Sequence, residues 1–310
     1  MEKSLSFLEK RASSLISINF TTVAFIILFF TETSYYLLIL QTGIVDCFHS
    51  DISKIWMIPV GGVLGLITMT RVKHHEIFVS IALFFQTLLM FFYPTFNALM
   101  LFSLGVLSGL VAPYLIYQLK SLTQIVIILG LAYLLSTFAI HILPENRGVL
   151  AIFLSMIALF SSYFVVPIRR KRVKKIRLKS YFWIFIWLIL DAVLFEVLSR
   201  SSFGIWGHEE FTLLIAIFHM LGLYIGYKLI TFKYNNLVIL TLFSLSYLFF
   251  AFNLSYLLAI VYPIVISYYN VVLLKHFMAL SFGELTLVSL SLWISSGMGL
   301  TIALISHNLI

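Results

Sequence analysis

The chain has 310 residues, of which 62% are hydrophobic and only 10% are charged, and its mean hydropathy is +1.08. A soluble domain carries charges on about a quarter of its residues, so this composition excludes an ordinary water-soluble fold. The formal net charge is +8, and the single cysteine excludes an intramolecular disulfide framework and a cysteine-based metal site.

Eleven largely apolar stretches of roughly 16 to 25 residues occupy nearly the whole chain. About 20 apolar residues allow a helix to cross the hydrocarbon core of a bilayer, where a helix satisfies its own backbone hydrogen bonds. The sequence therefore predicts an all-α, polytopic membrane protein with about eleven transmembrane helices. The predicted spans are 16–40, 55–70, 77–92, 98–117, 125–143, 149–166, 181–198, 211–230, 237–252, 254–274 and 282–306.

The boundary between the ninth and tenth spans is the least marked of these. Only Asn253 separates two apolar stretches there. A single helix over 237–274 would be too long for the bilayer even when tilted. Two separate spans are therefore predicted.

The positive charge is concentrated between the sixth and seventh spans, where residues 169–179 include eight Lys and Arg. This run lacks interleaved aromatic residues, so we expect no nucleic-acid partner. Lys and Arg concentrate in cytoplasmic loops of membrane proteins, so we interpret this run as a cytoplasmic loop. Binding of anionic lipid headgroups is the alternative.

The distribution of all basic residues predicts the orientation of the chain. With the N-terminus in the cytoplasm, seventeen of the twenty basic residues are cytoplasmic and an odd number of spans puts the C-terminus outside. We expect the chain to lie in a lipid bilayer, the cytoplasmic (inner) membrane of a bacterium.

The two halves of the chain share a layout, which predicts an internal repeat. The second and eighth spans each contain two glycines four residues apart and end in a basic turn. The fourth and tenth spans each contain a proline, and the first and seventh each contain a glutamate. Two parallel pseudo-repeats are therefore predicted. They are an N-terminal six-helix bundle at 1–168, a basic cytoplasmic linker at 169–180 and a C-terminal five-helix bundle at 181–310.

This layout resembles the major facilitator superfamily, which combines two six-helix halves, a basic cytoplasmic linker and a glycine-bearing second span that leads into a basic turn. Gly65 and Arg71 match the family's signature in that turn. Thr70 and Lys73 stand where the family has aspartate and glycine, and the second half is one helix shorter. The fourth span is similar to the family's small-residue and proline pattern at 105–113, but lacks its arginine. The resemblance implies a cavity between two helix bundles and alternating access.

Three pairs of glycines lie four residues apart within predicted spans. Small residues let helix backbones approach closely, and van der Waals packing must drive helix association in lipid. We interpret these glycines as helix-packing positions, with a backbone-lined pathway as the alternative. They are Gly61 and Gly65, Gly105 and Gly109, and Gly222 and Gly226.

Few ionisable residues lie inside the predicted spans. The insertion free energy of a charged side chain at mid-membrane is unfavourable by about 2.5–3.5 kcal/mol, so each such residue needs a partner, a water-filled cavity or a neutral state. Asp191 and His219 lie at a similar depth in the seventh and eighth spans, where they could exchange protons as a pair or make separate structural hydrogen bonds. Glu32 lies in a polar patch of the first span, which the resemblance places across the cavity from Asp191. A packed polar cluster or an early helix end is the alternative for Glu32. These three residues are the candidates for a substrate or proton pathway.

The sequence contains none of the signatures of membrane enzymes that we sought, among them spaced histidine boxes, His-Glu-x-x-His and a P-loop. We expect no catalytic residue, no bound metal and no cofactor. The expected function is a secondary-type transporter or permease for a small-molecule solute, which could be proton-coupled. The alternative is a non-transporting membrane subunit or scaffold with a degenerate transporter fold. The sequence does not identify protein partners.

Reporter fusions test the predicted orientation. A reporter fused after Lys179 should lie in the cytoplasm and one fused after Ile310 should lie outside, because an odd number of predicted spans separates the two positions. Paired alkaline phosphatase and green fluorescent protein fusions at both positions measure this. Two cytoplasmic readings would contradict the eleven-span topology.

Overall fold

The computed structural model describes residues 20–48, 52–167, 178–200 and 205–309. These parts of the chain form eleven helices of at least 15 residues, so the predicted all-α fold is confirmed. The helices are α1 Phe20–Cys47, α2 Met57–Arg71, α3 His75–Met90, α4 Ala98–Gln118, α5 Leu122–Ala139, α6 Gly148–Ser162, α7 Leu178–Arg200, α8 Glu209–Lys228, α9 Asn235–Ala251, α10 Ser255–Phe277 and α11 Phe282–Leu309.

The outside of this helical assembly is apolar. Seven of the described helical segments are long and apolar enough to span a membrane, one of them being Ser53–Arg71, which includes α2 and the helical residues before it. Helices α3 and α9 are apolar but shorter. Large side chains such as Phe84, Phe153 and Phe160 are exposed on the surface. Apolar surface on this scale requires a lipid environment, because soluble proteins rarely expose large contiguous apolar patches. The protein is therefore integral to a membrane.

Helix α1 is longer than the predicted span, which ends at residue 40. It continues to Cys47 through an eight-residue π-helical segment, Tyr36–Gly43. The hydroxyl of Thr42 donates to a backbone carbonyl oxygen of the preceding turn, that of Leu38, at 3.0 Å. Because the polar residues Gln41 and Thr42 interrupt the apolar sequence, the span predicted from hydropathy ends before the helix does. π-Helical segments are rare and frequently occur at functional sites.

The predicted break between the ninth and tenth spans is confirmed. Helix α9 ends at Ala251 and α10 begins at Ser255. Asn253 lies between them with a positive φ of 56°, a conformation that asparagine tolerates better than most residues. The amides of Asn253 and Leu254 donate to carbonyl oxygens of Phe250 and Phe249, the pattern of a Schellman helix end.

The helix pairs that pack together recur with a shift of six helices. Helix α2 packs along α4 as α8 packs along α10, and α3 contacts α4 as α9 contacts α10. Between the halves, the contact of α2 with α11 corresponds to that of α5 with α8. Two parallel repeats would pack in this way. We therefore propose that the chain divides into the bundles 1–168 and 181–310. The predicted linker 169–180 falls largely outside the described residues.

Glycines lie where α2 and α4 meet. A Cβ added to Gly61 would lie 2.1 Å from the carbonyl oxygen of Phe102 on α4, and one added to Gly105 would lie 2.1 Å from a carbonyl oxygen of α2. The two backbones are thus too close for any side chain at these positions. The glycines one turn further along each helix, Gly65 and Gly109, have the same surroundings.

The corresponding contact between α8 and α10 is slightly looser. A Cβ added to Gly222 would lie 2.6 Å from the carbonyl oxygen of Ile264, and one added to Gly226 would lie 3.0 Å from the Cβ of Val271. Because lipid competes with apolar side chains on equal terms, close backbone contact is a main source of helix association in both halves.

Substitution of Gly61 by alanine tests the α2–α4 contact. The added methyl group forces the two backbones apart, so we expect a lower unfolding midpoint and a loss of about 1–3 kcal/mol, as for other overpacked interiors. Gly130→Ala is the matched control, because its Cβ would lie 3.5 Å from the Cδ1 of Leu223, an ordinary contact. Thermal unfolding of the purified variants in detergent measures both. Equal midpoints for the two variants would contradict the packing role of Gly61.

A candidate solute-binding cavity

A cavity of about 230 Å³ lies between the two halves of the molecule. Helices α1 and α5 line it from the N-terminal half, and α7, α8, α10 and α11 line it from the C-terminal half, together with Trp206 before α8. The lining residues lie from the middle to the later part of α1, α5 and α7, and near the middle of α8, α10 and α11. The cavity therefore extends from the middle of the bundle towards the end at which α1, α5 and α7 finish.

Asp191 lies in the wall of this cavity and is held by two tyrosines of α10. The hydroxyl of Tyr262 donates to Oδ1 of Asp191 at 3.0 Å, and the hydroxyl of Tyr269 donates to Oδ2. The two tyrosines are seven residues apart, which puts them on one face of the helix two turns from each other. Both carboxylate oxygens thus have a neutral hydrogen-bond donor.

His219 lies in the same cavity and belongs to a stack of rings. Its ring lies parallel to that of Tyr133, with the centroids 4.5 Å apart, and to that of Trp206, with the centroids 6.0 Å apart. Its Nδ1 is 2.7 Å from the hydroxyl of Ser267 on α10. Asp191 and His219 therefore share the cavity without bonding to each other, because α10 supplies the partners of both.

Glu32 has a different position from the expected one. It is 8% exposed, accepts a hydrogen bond of 2.9 Å from Nε2 of Gln86 on α3, and is not among the residues that line the cavity. The next residue, Thr33, does line it. Successive helical residues point about 100° apart, so Glu32 falls on the face of α1 that α3 covers. The structure therefore places Glu32 in a helix contact rather than across from Asp191.

The contact of Glu32 with Gln86 leaves one atom without a partner. The Oε1 of Gln86 is buried and has no hydrogen-bond partner among the described residues. A glutamine at position 32 would accept from Nε2 of Gln86 and donate to this oxygen. The pair can therefore exist without a negative charge, which makes Glu32→Gln a conservative variant.

Arg147 is a buried cation at the end of the cavity that sequence reasoning did not select. Its guanidinium donates to the hydroxyl of Thr42 at 2.8 Å and to the carbonyl oxygen of Ile140 at 2.7 Å, so it ties the π-helical segment to the end of α5. Burial lowers the pKa of Arg147, and the carboxylates of Asp46 and Glu145 oppose this shift. The arginine lies behind Thr42 and Ile140, which line the cavity.

The tyrosines around Asp191 and the rings around His219 also escaped the sequence analysis. One signal was present, because Tyr268, Tyr269 and Asn270 form a polar run in the middle of the otherwise apolar α10. The Nδ2 of Asn270 donates to the hydroxyl of Tyr133 across the two halves at 2.9 Å. Trp206 gave no comparable signal, since it lies in a short 3-10 helix, Ile205–Gly207, between two predicted spans.

The cavity offers a solute one carboxylate, several hydroxyl and amide groups, and aromatic rings. In the described part of the chain, no three His, Cys, Asp or Glu side chains are grouped so that they could hold a metal ion. The arrangement is therefore suited to binding by charge, hydrogen bonding and ring stacking.

No known family profile matches this sequence, and no curated protein matches it either. Among solved structures, the chain is similar to the crystal structure of a bacterial homologue of the human lysosomal transporter Spinster, in an inward-facing and unoccupied conformation. The TM-score is 0.52 at 11% sequence identity, and the match covers 93% of this chain and 81% of that one. The chain thus shares its overall fold with that structure, in agreement with the all-α architecture predicted from the sequence.

Substitution of Gln86 by leucine tests whether Glu32 acts in helix packing. It removes the donor to a buried carboxylate, so we expect a loss of about 1–3 kcal/mol in stability. Glu32→Gln should keep the wild-type unfolding midpoint, because the amide pair remains hydrogen-bonded. Thermal unfolding in detergent compares the two. A Gln86→Leu variant as stable as the wild type would show that this contact does not hold α1 against α3.

Proposed function

We propose that this protein is a secondary-type transporter for a small solute, which binds in the cavity and crosses the membrane by alternating access. The observation that carries the proposal is a cavity to which both halves contribute, with Asp191 in its wall. Transporters built from repeats bind their solutes near the bilayer midplane, where the repeats meet. The fold similarity to a transporter supports the same class of function.

Aromatic contacts between the halves at the opposite end of the bundle support alternating access. The ring of Phe282, at the start of α11, lies 4.4 Å from that of His75 on α3 and 5.4 Å from that of Tyr117 on α4, measured between centroids. The cavity extends away from this end. Rocking of one half against the other would separate these rings and close the other end, so the site would face each side in turn.

We further propose that Asp191 is the group through which transport depends on protons. A carboxylate in a cavity can bind either a proton or a solute group at the same oxygens, and Tyr262 and Tyr269 hold it in place. Solute and proton would then occupy Asp191 in different steps of the cycle. His219 contributes a wall of the site rather than a direct partner of Asp191.

We propose the cytoplasmic membrane of a bacterium as the location, with the N-terminus in the cytoplasm. Seventeen of the twenty basic residues are then cytoplasmic, which is the usual asymmetry of Lys and Arg in membrane proteins. In this orientation the contacts of Phe282 lie at the cytoplasmic end and the cavity extends towards the outside.

Uptake by proteoliposomes tests the proposed function. The full chain is reconstituted and supplied with labelled neutral, anionic and cationic small solutes, with and without a pH gradient. Asp191→Asn keeps the shape of the side chain but removes its charge, so we expect gradient-dependent uptake to fall by about tenfold or more. Glu32→Gln is the matched control, because it changes a buried carboxylate outside the cavity and should leave uptake unchanged.

Each contrary result has a separate meaning. Full uptake by a folded Asp191→Asn variant would exclude Asp191 as the proton-dependent group. Uptake no faster than in empty liposomes for every solute would contradict transport and favour the non-transporting subunit or scaffold.

A further inference from the structure

When Asp191 is ionised, the lining of the cavity carries a negative charge. Asp191 is its acidic residue, and the described residues that line it include no Lys or Arg. Tyr262 and Tyr269 donate neutral hydrogen bonds, which orient the carboxylate without neutralising it. An uncompensated charge inside a membrane is costly, so a cation in the cavity would stabilise this site and an anion would destabilise it.

The buried Arg147 and the lining residue His219 do not change this balance. Arg147 lies behind the lining, donates to Thr42, and has the carboxylates of Asp46 and Glu145 as acidic neighbours. His219 lines the cavity, but its Nδ1 faces a serine hydroxyl and its ring is stacked on aromatic rings. Among the described residues, no carboxylate forms a hydrogen bond with His219 that would stabilise a positive charge on it.

Aromatic rings surround the same space as Asp191. Tyr133, Trp206 and Tyr269 all line the cavity. The face of an aromatic ring attracts an ammonium group within about 6 Å of its centroid, and tryptophan does so best. A carboxylate among such rings suits an organic ammonium group better than a metal ion such as Na⁺, which prefers oxygen ligands.

The size of the cavity and its unpaired polar atoms limit the solute further. Its volume of about 230 Å³ is below the roughly 300–1,000 Å³ that is typical of pockets for drug-sized ligands. Two lining residues have buried polar atoms without a hydrogen-bond partner among the described residues, namely Nε1 of Trp206 and Oγ of Ser136. Buried polar groups normally have a partner, and a small shift of the neighbouring side chains would open the indole N–H to an oxygen atom of the solute.

We propose that the solute is a small organic cation, whose ammonium group binds the carboxylate of Asp191 and packs against the rings of Tyr133, Trp206 and Tyr269. A hydroxyl or carbonyl oxygen elsewhere in the solute would bond to the unpaired groups of Trp206 and Ser136. This inference rests on the proposed function, since it names the class of solute for the same site.

Binding of charged and neutral isosteres tests the inference. Titration calorimetry of the purified full chain is carried out with methylammonium, ethanolamine, choline and tetraethylammonium, and with 3,3-dimethylbutan-1-ol, which has the shape of choline without its charge. We expect at least one ammonium compound to bind, and choline to bind about tenfold or more tightly than its neutral isostere. The comparison needs no variant, so it stands even if a substitution impairs folding.

Variants then locate the binding site. Asp191→Asn should weaken ammonium binding by about tenfold or more, whereas Asp191→Glu should retain part of it because the charge remains. Glu32→Gln is again the matched control and should bind as the wild type does. Unchanged ammonium binding in a folded Asp191→Asn variant would overturn the inference.

Other results separate the inference from the proposed function. Three results would overturn the cation specificity and leave the transporter function standing. The first is equal binding of choline and its neutral isostere, and the second is binding of Na⁺ but of no organic ammonium compound. The third is uptake of neutral or anionic solutes but of no ammonium compound. Absence of uptake for all solutes would overturn the proposed function itself.

Discussion

A polar group in the hydrocarbon core of a bilayer must find its partner within the protein, because lipid offers none. For the backbone, this constraint makes the chain helical over nearly all of its described length. For side chains it decides which residues meet. Gln86 bonds to Glu32, and two tyrosines of α10 bond to Asp191. Arg147 donates to the π-helical segment of α1 and to the end of α5, so a single buried cation holds two irregular pieces of backbone in place.

Packing differs between the interior of each half and the space between the halves. Within a half, glycines bring α2 against α4 and α8 against α10 at backbone distance, which makes these pairs stiff units. Between the halves the contacts are made by side chains, among them the bond from Asn270 to Tyr133 and the rings around Phe282. Side-chain contacts can be broken and remade more easily than backbone contacts. The distribution of contacts therefore suits the proposed movement of rigid bundles about a central site.

Helix α10 organises the cavity. Tyr262 and Tyr269 bond to α7, Ser267 bonds to His219 on α8, and Asn270 bonds to α5 in the other half. A displacement of α10 would change the surroundings of Asp191, His219 and Tyr133 together. Under the proposed mechanism, binding of a proton or solute to the carboxylate of Asp191 is therefore coupled through α10 to the contact between the two halves.

Hydropathy and local spacing are properties of the sequence by itself, and they determined the number of helices, the membrane environment, the break at Asn253 and the depth that Asp191 shares with His219. They could not determine which face of a helix meets which neighbour, because apolar side chains occupy every face of α1, α7 and α10 and the few polar residues do not mark a single polar face. A rotation of about 100° separates Glu32, which contacts α3, from Thr33, which lines the cavity. The tertiary structure alone decided that difference. It alone brought the tyrosines of α10 and Trp206, from the short 3-10 helix before α8, to the site, since these contacts join residues distant in sequence.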